Sequence, residues 1–457
     1  MTPDDFLHAA RTIVGGRHVL TDPDRTAGYT VDWTRRFVGD ASSCVLRPGS
    51  LDEVVALVAA ARRHLVALVP QGGNTGLVGG GVPLAGEAVV SLRRLDRIEP
   101  VDRLAGQVTA GAGATLAAVQ AEARRSGWEL GVDLAARDTA TIGGMVATNA
   151  GGLHVLRYGA MRAQVTGVEA VLGTGAVVAR MAGLVKDNTG YDLAQLLCGS
   201  EGTLGIVTRV RLRLVPPPGE LVVGLLGLPS TKAAVALAAD LRSTLAGLRA
   251  LEVMAGDSLR RVADHVGVPP PVAPGAAAFL LVEVAGPVDP TDALADAVAV
   301  GGVLDAAVAT ARPDRERLWR FREAHPEVAA ELASRVGLVV HKLDVTLPVA
   351  ELAGFCDEVA SLVEQAWPQA VTLLYGHVGD GNIHVNVVAP DDDDGIDDLV
   401  LGLVVERGGS ISAEHGIGTA KKQWLLRDRS AAEVEAMRAV KRALDPDGIL
   451  NPNVLLP

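Results

Sequence analysis

Three stretches of this chain are so dense in glycine that backbone, rather than side chains, is what they present. Residues 70–76 read Pro70-Gln71-Gly72-Gly73-Asn74-Thr75-Gly76, and turn-formers continue through Gly79, Gly80, Gly81 and Pro83. Residues 139–152 form a long uncharged run containing Gly143, Gly144, Gly151 and Gly152, and residues 198–207 lead through Gly199, Gly202 and Gly205 into a strand. Gly contributes 52 of 457 residues, about 11% against a typical 7% or so, without a collagen period. The first stretch can aim successive N–H groups at a phosphate, because Gly permits the positive φ of an anion-binding nest; a plain mobile loop has the same composition. Neither a Walker loop nor a GxGxxG occurs there. The second, read as a loop, leaves many N–H and C=O groups unpaired unless a polar ligand meets them. Three such loops together point to one large, extended cofactor.

Acidic residues outnumber basic ones, 54 to 42, for a net charge of −12, which disfavours nucleic acid and anionic membrane surfaces as partners. No apolar run approaches the roughly 20 residues of a membrane span, so no transmembrane segment is expected. The start lacks a secretion-signal profile, and Cys44, Cys198 and Cys356 are far apart with no CxxC spacing. The expectation is a cytoplasmic protein in a reducing setting. Only six residues are Lys, which makes Lys186 and Lys342, both in apolar surroundings, conspicuous.

Helical stretches such as 51–65, 231–248 and 292–300 alternate with short strand-like runs such as 65–69, 88–92, 205–214 and 277–284, which predicts an α+β fold. Pro216-Pro217-Pro218-Gly219 can neither extend a sheet nor enter a helix interior, and marks a domain boundary. The acidic run 391–394 reads as a solvated loop tip.

Near the C-terminus, His377 and His384 flank Val378-Gly379-Asp380-Gly381-Asn382, a strand–turn–strand pattern that can bring both imidazoles to one end of a hairpin. Asp380 and Asn382 are turn-shaping residues. With Glu414 from a separate loop, two His and a carboxylate leave a coordination position open, as a catalytic divalent ion needs; ordinary strand-end histidines fit the same spacing.

The segments PQGGNTGLVGG, ATIGGMVATNAGG with YGAMR, KDNTGYDLAQLLCGSEGTLGIVT, GHVGDGNIHVNV, SAEHGIG and DPDGILNPN together resemble the FAD-linked oxidases of the vanillyl-alcohol oxidase and p-cresol methylhydroxylase superfamily. More narrowly they resemble its D-2-hydroxyacid dehydrogenase branch, which includes D-2-hydroxyglutarate and D-lactate dehydrogenases and the glycolate oxidase D subunit. The match runs from about residue 40 to the C-terminus.

The resemblance implies an FAD-binding domain of two α+β subdomains (38–217), after an N-terminal helical segment (1–37). It implies an α+β substrate domain with an antiparallel sheet (218–408), and a final segment (409–457) returning to the flavin. FAD would be held by Gln71, Gly72, Gly73, Asn74, Thr75, Gly76 and Leu77 around the pyrophosphate. Gly143, Gly144, Asn149, Gly151, Tyr158, Gly159, Glu201, Gly202, Ile206, Val207 and Asn451 would meet the rest. Relatives that tether flavin covalently often use a His in the first loop; Asn74 stands there, so non-covalent FAD is expected.

The same resemblance makes His377, His384 and Glu414 ligands of zinc or a similar ion, and His415 the group that takes the substrate hydroxyl proton as hydride passes to flavin N5. Arg322, in a tryptophan-containing helix, and Lys342, on a following strand, would hold substrate carboxylate, and Asn386 would hydrogen-bond substrate. Pro326, four residues past Arg322, stands where the 2-hydroxyglutarate enzymes carry a hydroxyl residue, which leaves lactate, malate or another 2-hydroxy acid open. The implied partners are a small 2-hydroxy acid, an acceptor such as an electron-transfer flavoprotein or a quinone, and a second copy in a homodimer. Two alternatives stand beside this reading: a flavin-binding subunit of a multi-subunit glycolate oxidase, and a metal-free, oxygen-using oxidase of the same superfamily.

Overall fold

The computed structural model describes residues 3–272, 275–299, 302–390 and 394–457. It is an α+β protein that divides into two compact units. The first holds the chain up to Gly152, Tyr158–Pro217 and Glu414–Pro457; the second holds Leu153–Arg157 and Pro218–Ala413.

The first unit contains two small sheets. One runs in the order Val19–Leu20, Val45–Leu46, Ala88–Ser91, Leu68–Gln71, with the last three strands parallel. The helix Leu51–His64 packs its Val54, Leu57, Val58 and Ala61 stripe inward, with Ser50 capping it by accepting from Glu53 N–H. The other sheet is antiparallel, Gln107–Gly111, Gly205–Arg213, Val165–Leu172, Val177–Arg180. One core joins both.

The C-terminal segment completes this unit. Leu450 bridges in parallel to Leu68, with Leu68 N–H donating to Ile449 O at 2.7 Å and Asn451 N–H to Leu68 O at 2.8 Å. The Lys441 ammonium, on the helix Ala431–Leu444, donates to Thr203 O at 2.7 Å, to Leu450 O at 2.6 Å and to the buried Asp445 carboxylate. Asp445 in turn accepts from Ile449 N–H at 3.2 Å and Leu450 N–H at 2.9 Å. The DPDGILNPN motif therefore fastens the unit's end to the strand that feeds the first glycine loop.

The second unit is built on an antiparallel sheet of seven described strands, in the order Asp305–Ala309, Glu220–Leu228, Ala278–Gly286, Leu248–Ala255, Val371–Gly376, Asn382–Ala389, Val339–Thr346. The helices Arg312–Glu323 and His325–Val336 cover one face, through Leu318, Phe321, Val328 and Ala329 against Met254, Phe279, Leu281 and Tyr375. Thr231–Thr244, Val349–Ala366 and Gly395–Glu406 pack elsewhere on the same sheet and on one another.

Several sequence expectations shift here. The strand expected at 65–69 is Leu68–Gln71, because Leu65 is the left-handed C-cap of the preceding helix. The helix expected to reach 248 ends at Thr244, since Leu248 opens a sheet strand. Residues 139–152 are not one long loop: Ile142–Thr148 is helical, so much of that backbone pairs within the protein rather than waiting for a ligand. Of the acidic run, Asp391, Asp392 and Asp393 lie outside the described residues, and Asp394 is the N-cap of the helix Gly395–Glu406. Lys186 is exposed.

Removing the Lys441 charge should cost the first unit heavily, because Asp445 would keep a buried charge without its cation. Lys441→Met is expected to lower unfolding stability by roughly 3 kcal/mol or more, read by urea denaturation. A loss within about 0.5 kcal/mol, as at an ordinary surface site, would contradict this role.

Candidate active site

All the residues implicated in flavin binding lie in the first unit. The strand Leu68–Gln71 delivers Gln71, buried, whose amide donates to Tyr29 O and Gly81 O at 2.8 Å each. Gly72 and Gly73 then run so close to Thr141 and Thr139 that a Cβ would sit 2.2 Å from Thr141 Oγ1 or 2.0 Å from Thr139 O; at Gly73 no other residue fits without moving backbone, and at Gly72 the Thr141 side chain would have to shift. Asn74 takes φ 55° and donates to Val31 O at 2.8 Å, which holds the turn from the side. No acceptor among the described residues meets the N–H groups of residues 73–77.

The second glycine stretch packs against this loop. Gly143 N–H donates to Ala112 O at 2.8 Å, and its Cβ position is filled by Ala112. Asn149 closes the helix Ile142–Thr148 in the left-handed region, and its Oδ1 accepts from Arg162 N–H at 2.9 Å. Gly151 and Gly152 lie against Glu414, whose Oε1 accepts from Gly152 N–H at 2.6 Å. Tyr158 is half-buried, its carbonyl taken by Gln164 Nε2 at 2.6 Å, and Gly159 turns the chain at φ 78°.

The third stretch returns to the same place. Gly199 and Glu201 donate their N–H groups to Val146 O and Ala147 O at 2.9 and 2.8 Å. Gly202 holds φ 74°, and Ile206 and Val207 are buried in the following strand. Asn451 Nδ2 donates to Gly80 O at 2.9 Å and to Glu201 O at 2.7 Å, so its amide joins the first and third loops.

These features fit a large polar cofactor. Gln71 Oε1, Thr141 Oγ1 and Asn451 Oδ1 are buried without a protein partner, the glycine cradle leaves room only for bare backbone, and residues 73–77 offer a run of N–H donors. FAD carries the pyrophosphate and ring polar atoms such a site demands.

The Glu201 carboxylate accepts from Ile417 N–H at 2.8 Å and Gly418 N–H at 2.7 Å. Burial nevertheless pushes it up to about 7, against those two bonds and the Lys421 charge.

The second unit gathers His377, His384, Arg322, Lys342 and Asn386. Tyr375 pairs with His384 across the hairpin, and His377 follows the first strand directly. The two imidazole centroids are 5.3 Å apart at 78°, and a nitrogen of each lies within 4.8 Å of the other. Each ring turns Nδ1 to a buried carboxylate: His377 to Glu252 Oε1 at 2.6 Å, His384 to Asp344 Oδ1 at 3.3 Å. Asn382 Nδ2 holds Asp344 in place at 2.8 Å, while its backbone N–H meets Asp380 Oδ1 at 3.3 Å in the turn. Two imidazoles, each oriented at Nδ1 by a carboxylate, are the kind of donors a divalent ion uses.

Arg322 sits at the end of its helix with Nε 2.7 Å from Glu252 Oε2, and its guanidinium lies 5.0 Å from the Tyr375 ring centre. Burial opposes the Glu252 charge, but His377 and Arg322 outweigh it and hold the carboxyl down at about 2. Lys342 is half-buried and pairs in register with Asn386, whose Nδ2 donates to Tyr375 OH at 2.9 Å. Burial raises that phenol to about 12.

His325 is fully buried: Nδ1–H donates to Arg322 O at 2.9 Å, the ring stacks on Tyr375 at 4.4 Å, and burial depresses it to about 3. A neutral imidazole results. Glu414 and His415 begin the last segment of the first unit.

Glu252, Asp344 as an orienting group, Tyr375 and His325 were not among the sequence candidates. For Glu252 a signal existed, since it is the one acidic residue in the apolar strand Leu248–Ala255. His325 gave none.

Comparison with known proteins agrees with the flavin site. Residues 42–179 match a family model described as FAD binding domain, and residues 217–455 match one described as FAD linked oxidases, C-terminal domain. A D-2-hydroxyglutarate dehydrogenase of Xanthomonas citri pv. viticola is 38% identical over 99% of this chain and 97% of its own. The mitochondrial D-2-hydroxyglutarate dehydrogenase of Bos taurus is 36% identical over 99% and 84%. Among solved structures, p-cresol methylhydroxylase with substrate bound superposes with TM-score 0.78 at 15% identity, covering 98% of this chain and 96% of that one, a likeness of fold.

The Glu201 environment sets a pH dependence. Burial holds the Glu201 carboxyl up to about 7 in the folded protein, above its ordinary 4.5, so between those values the folded unit holds a proton the unfolded chain has lost. Stability is full below pH 4.5 and falls as pH rises through 7, by roughly 3 kcal/mol at most. Glu201→Gln should remove that slope; melting curves from pH 4.5 to 8 with the same slope in both proteins would contradict the assignment.

Proposed function

Because the chain belongs to the FAD-linked oxidases and is thus an oxidoreductase, we propose that it is a D-2-hydroxyacid dehydrogenase that forms a 2-keto acid with the help of a divalent ion, zinc by preference. The observation that carries this reading is the His377–His384 pair, each ring turned by a buried carboxylate beside the Arg322 cation.

FAD, when bound, would supply a two-electron acceptor for the substrate's hydride. A divalent ion supplies Lewis acidity toward the hydroxyl and carboxylate oxygens of the substrate. His377 and His384 bind the ion, with Glu414 as the third ligand. Arg322 and Lys342 hold substrate carboxylate by charge-assisted hydrogen bonds, and Asn386 orients the substrate. His415 takes the proton of the substrate hydroxyl. Gln71, Asn74 and the N–H groups of residues 73–77 hold the cofactor's pyrophosphate, with Asn149, Tyr158 and Glu201 among the groups lining the rest.

The relatives at 34–38% identity are named for 2-hydroxyglutarate, which makes that dicarboxylate the first substrate to assay. Pro326 offers no hydroxyl, so D-lactate and D-malate belong in the same panel. Electrons pass to an acceptor other than NAD, an electron-transfer flavoprotein or a quinone. Among the described residues no helix is long and apolar enough to cross a membrane, and the three cysteines are buried; a cytoplasmic setting is part of the proposal.

Two measurements test this. Acid precipitation should release FAD into the supernatant, since Asn74 has no ring nitrogen to bond the flavin; flavin left in the pellet would refute non-covalent binding. Elemental analysis beside dye-linked turnover of D- and L-2-hydroxy acids should show one divalent ion per chain in the wild type, and loss of most ion and most turnover in His384→Ala. Full activity without stoichiometric metal would favour a metal-free oxidase, and flavin with metal but no turnover would favour a subunit of a larger oxidase.

A further inference from the structure

We propose that Glu252 is a positioning residue that ties the ion-binding ring of His377 to the carboxylate-holding guanidinium of Arg322. The inference rests on the roles given to His377 and Arg322 under Proposed function and adds what makes them act together.

Glu252 lies on the central strand Leu248–Ala255, with its side chain 1% exposed. Its two oxygens are divided between two donors. Oε2 accepts from Arg322 Nε at 2.7 Å, and Oε1 accepts from His377 Nδ1 at 2.6 Å. All three residues belong to the second unit.

That division fixes the imidazole tautomer. A carboxylate oxygen can only accept, so Nδ1 carries the hydrogen and Nε2 keeps its lone pair. An independent contact agrees: Arg322 Nη2, which can only donate, approaches His377 Nε2 at 3.4 Å. Nε2 is therefore the ligating atom, held in the plane set by a rigid sheet strand. The same carboxylate fixes the guanidinium by its Nε edge and so sets the direction in which the rest of the fork points. One residue thus determines where the ion and the substrate carboxylate sit relative to each other.

A second buried carboxylate provides the comparison. Glu283, on the neighbouring strand Ala278–Gly286, accepts from Trp319 Nε1 at 3.0 Å and meets His154 Nε2 at 3.1 Å and Arg249 Nε at 3.0 Å. It too is a buried carboxylate, though less enclosed than Glu252, and touches neither His377 nor Arg322 through any of these bonds.

The test uses the full-length FAD-loaded protein and compares wild type, Glu252→Gln, Glu252→Asp and Glu283→Gln. Zn2+ affinity is measured by competition with a chromogenic chelator, KM and kcat with the 2-hydroxy acid the wild type oxidises best, and melting temperature and flavin content on the same samples. A glutamine can accept from only one of the two donors, and an aspartate is too short to span both. Both Glu252 variants should lose 10- to 100-fold in Zn2+ affinity and raise KM at least tenfold, with flavin content unchanged.

A Glu283→Gln variant should lower melting temperature without weakening Zn2+ binding. Equal loss of Zn2+ affinity in Glu283→Gln would show a general effect of buried charge and overturn the proposal. So would Glu252 variants that melt lower but bind Zn2+ and substrate as the wild type does. If no Glu252 variant folds, ring 15N–1H spectra of the zinc-free wild type decide: His377 protonated at Nε2 overturns the proposal, and protonated at Nδ1 upholds it. A wild type that oxidises no 2-hydroxy acid and binds no Zn2+ would instead defeat the functional reading beneath it, and Glu252 with it. Normal wild-type activity with unaffected Glu252 variants would defeat the Glu252 proposal alone.

Discussion

A carboxylate in the middle of an apolar sheet strand must be met by positive charge and hydrogen-bond donors, or it will not stay ionised. Glu252 meets that condition with Arg322 on one oxygen and His377 on the other. The second unit's polar centre is arranged around this requirement. The helix Arg312–Glu323 has to end where its Arg322 reaches the sheet, and the hairpin has to turn immediately after Gly376 so that His377 faces back. Tyr375 then lies under the guanidinium and beside His384, so the ion pair and the second histidine share one aromatic wall. Asp344 repeats the logic three strands further along the sheet, buried and held by Asn382.

The first unit solves a different problem, that of holding bare backbone still. Glycine loops lose more freedom on folding than other segments, so each needs outside anchors. Here the anchors come from the far end of the chain. Asn451 joins Gly80 to Glu201, Lys441 reaches Thr203, and Leu450 adds to the edge of the strand before the first loop. The terminal segment, which the resemblance led us to expect back at the flavin loops, is bonded to the first and third of them.

What the sequence disclosed follows from the range of each signal. Glycine density, the proline boundary and strand–turn–strand spacing act over a few residues, so the loops and the 377–384 hairpin were legible directly. The helix Ile142–Thr148 was not, because its composition of Gly, Thr and Val is poor for helices and only packing against Ala112 and the neighbouring loops selects it. Asp344, His325 and the partners of Glu252 depend on contacts 38, 50 and 125 residues apart in sequence, which no local pattern carries. Asn451 was legible as important through its motif, but not as the residue whose amide links two loops.

Pro326 shows how a departure in sequence acquires a physical meaning once its surroundings are known. It occupies the first turn of the helix His325–Val336, where the missing N–H is harmless and the fixed φ favours the helix start. The residue before it, His325, gives its Nδ1–H to the carbonyl of Arg322, one of the C-terminal carbonyls that the preceding helix cannot satisfy itself. Burial keeps that ring neutral, so it steadies the arginine without adding charge next to it. A hydroxyl is thus absent at this junction, but the backbone carrying Arg322 is clamped. Under the function proposed above, selectivity among 2-hydroxy acids would rest on the charges of Arg322 and Lys342 and on the shape around Tyr375, rather than on a neutral hydrogen bond from the second helix. Charge recognition of this kind would distinguish monocarboxylates from dicarboxylates by where a second anion can be placed, and on the proposed roles of Arg322 and Glu252 the direction of the Arg322 fork would be the structural variable on which substrate choice turns.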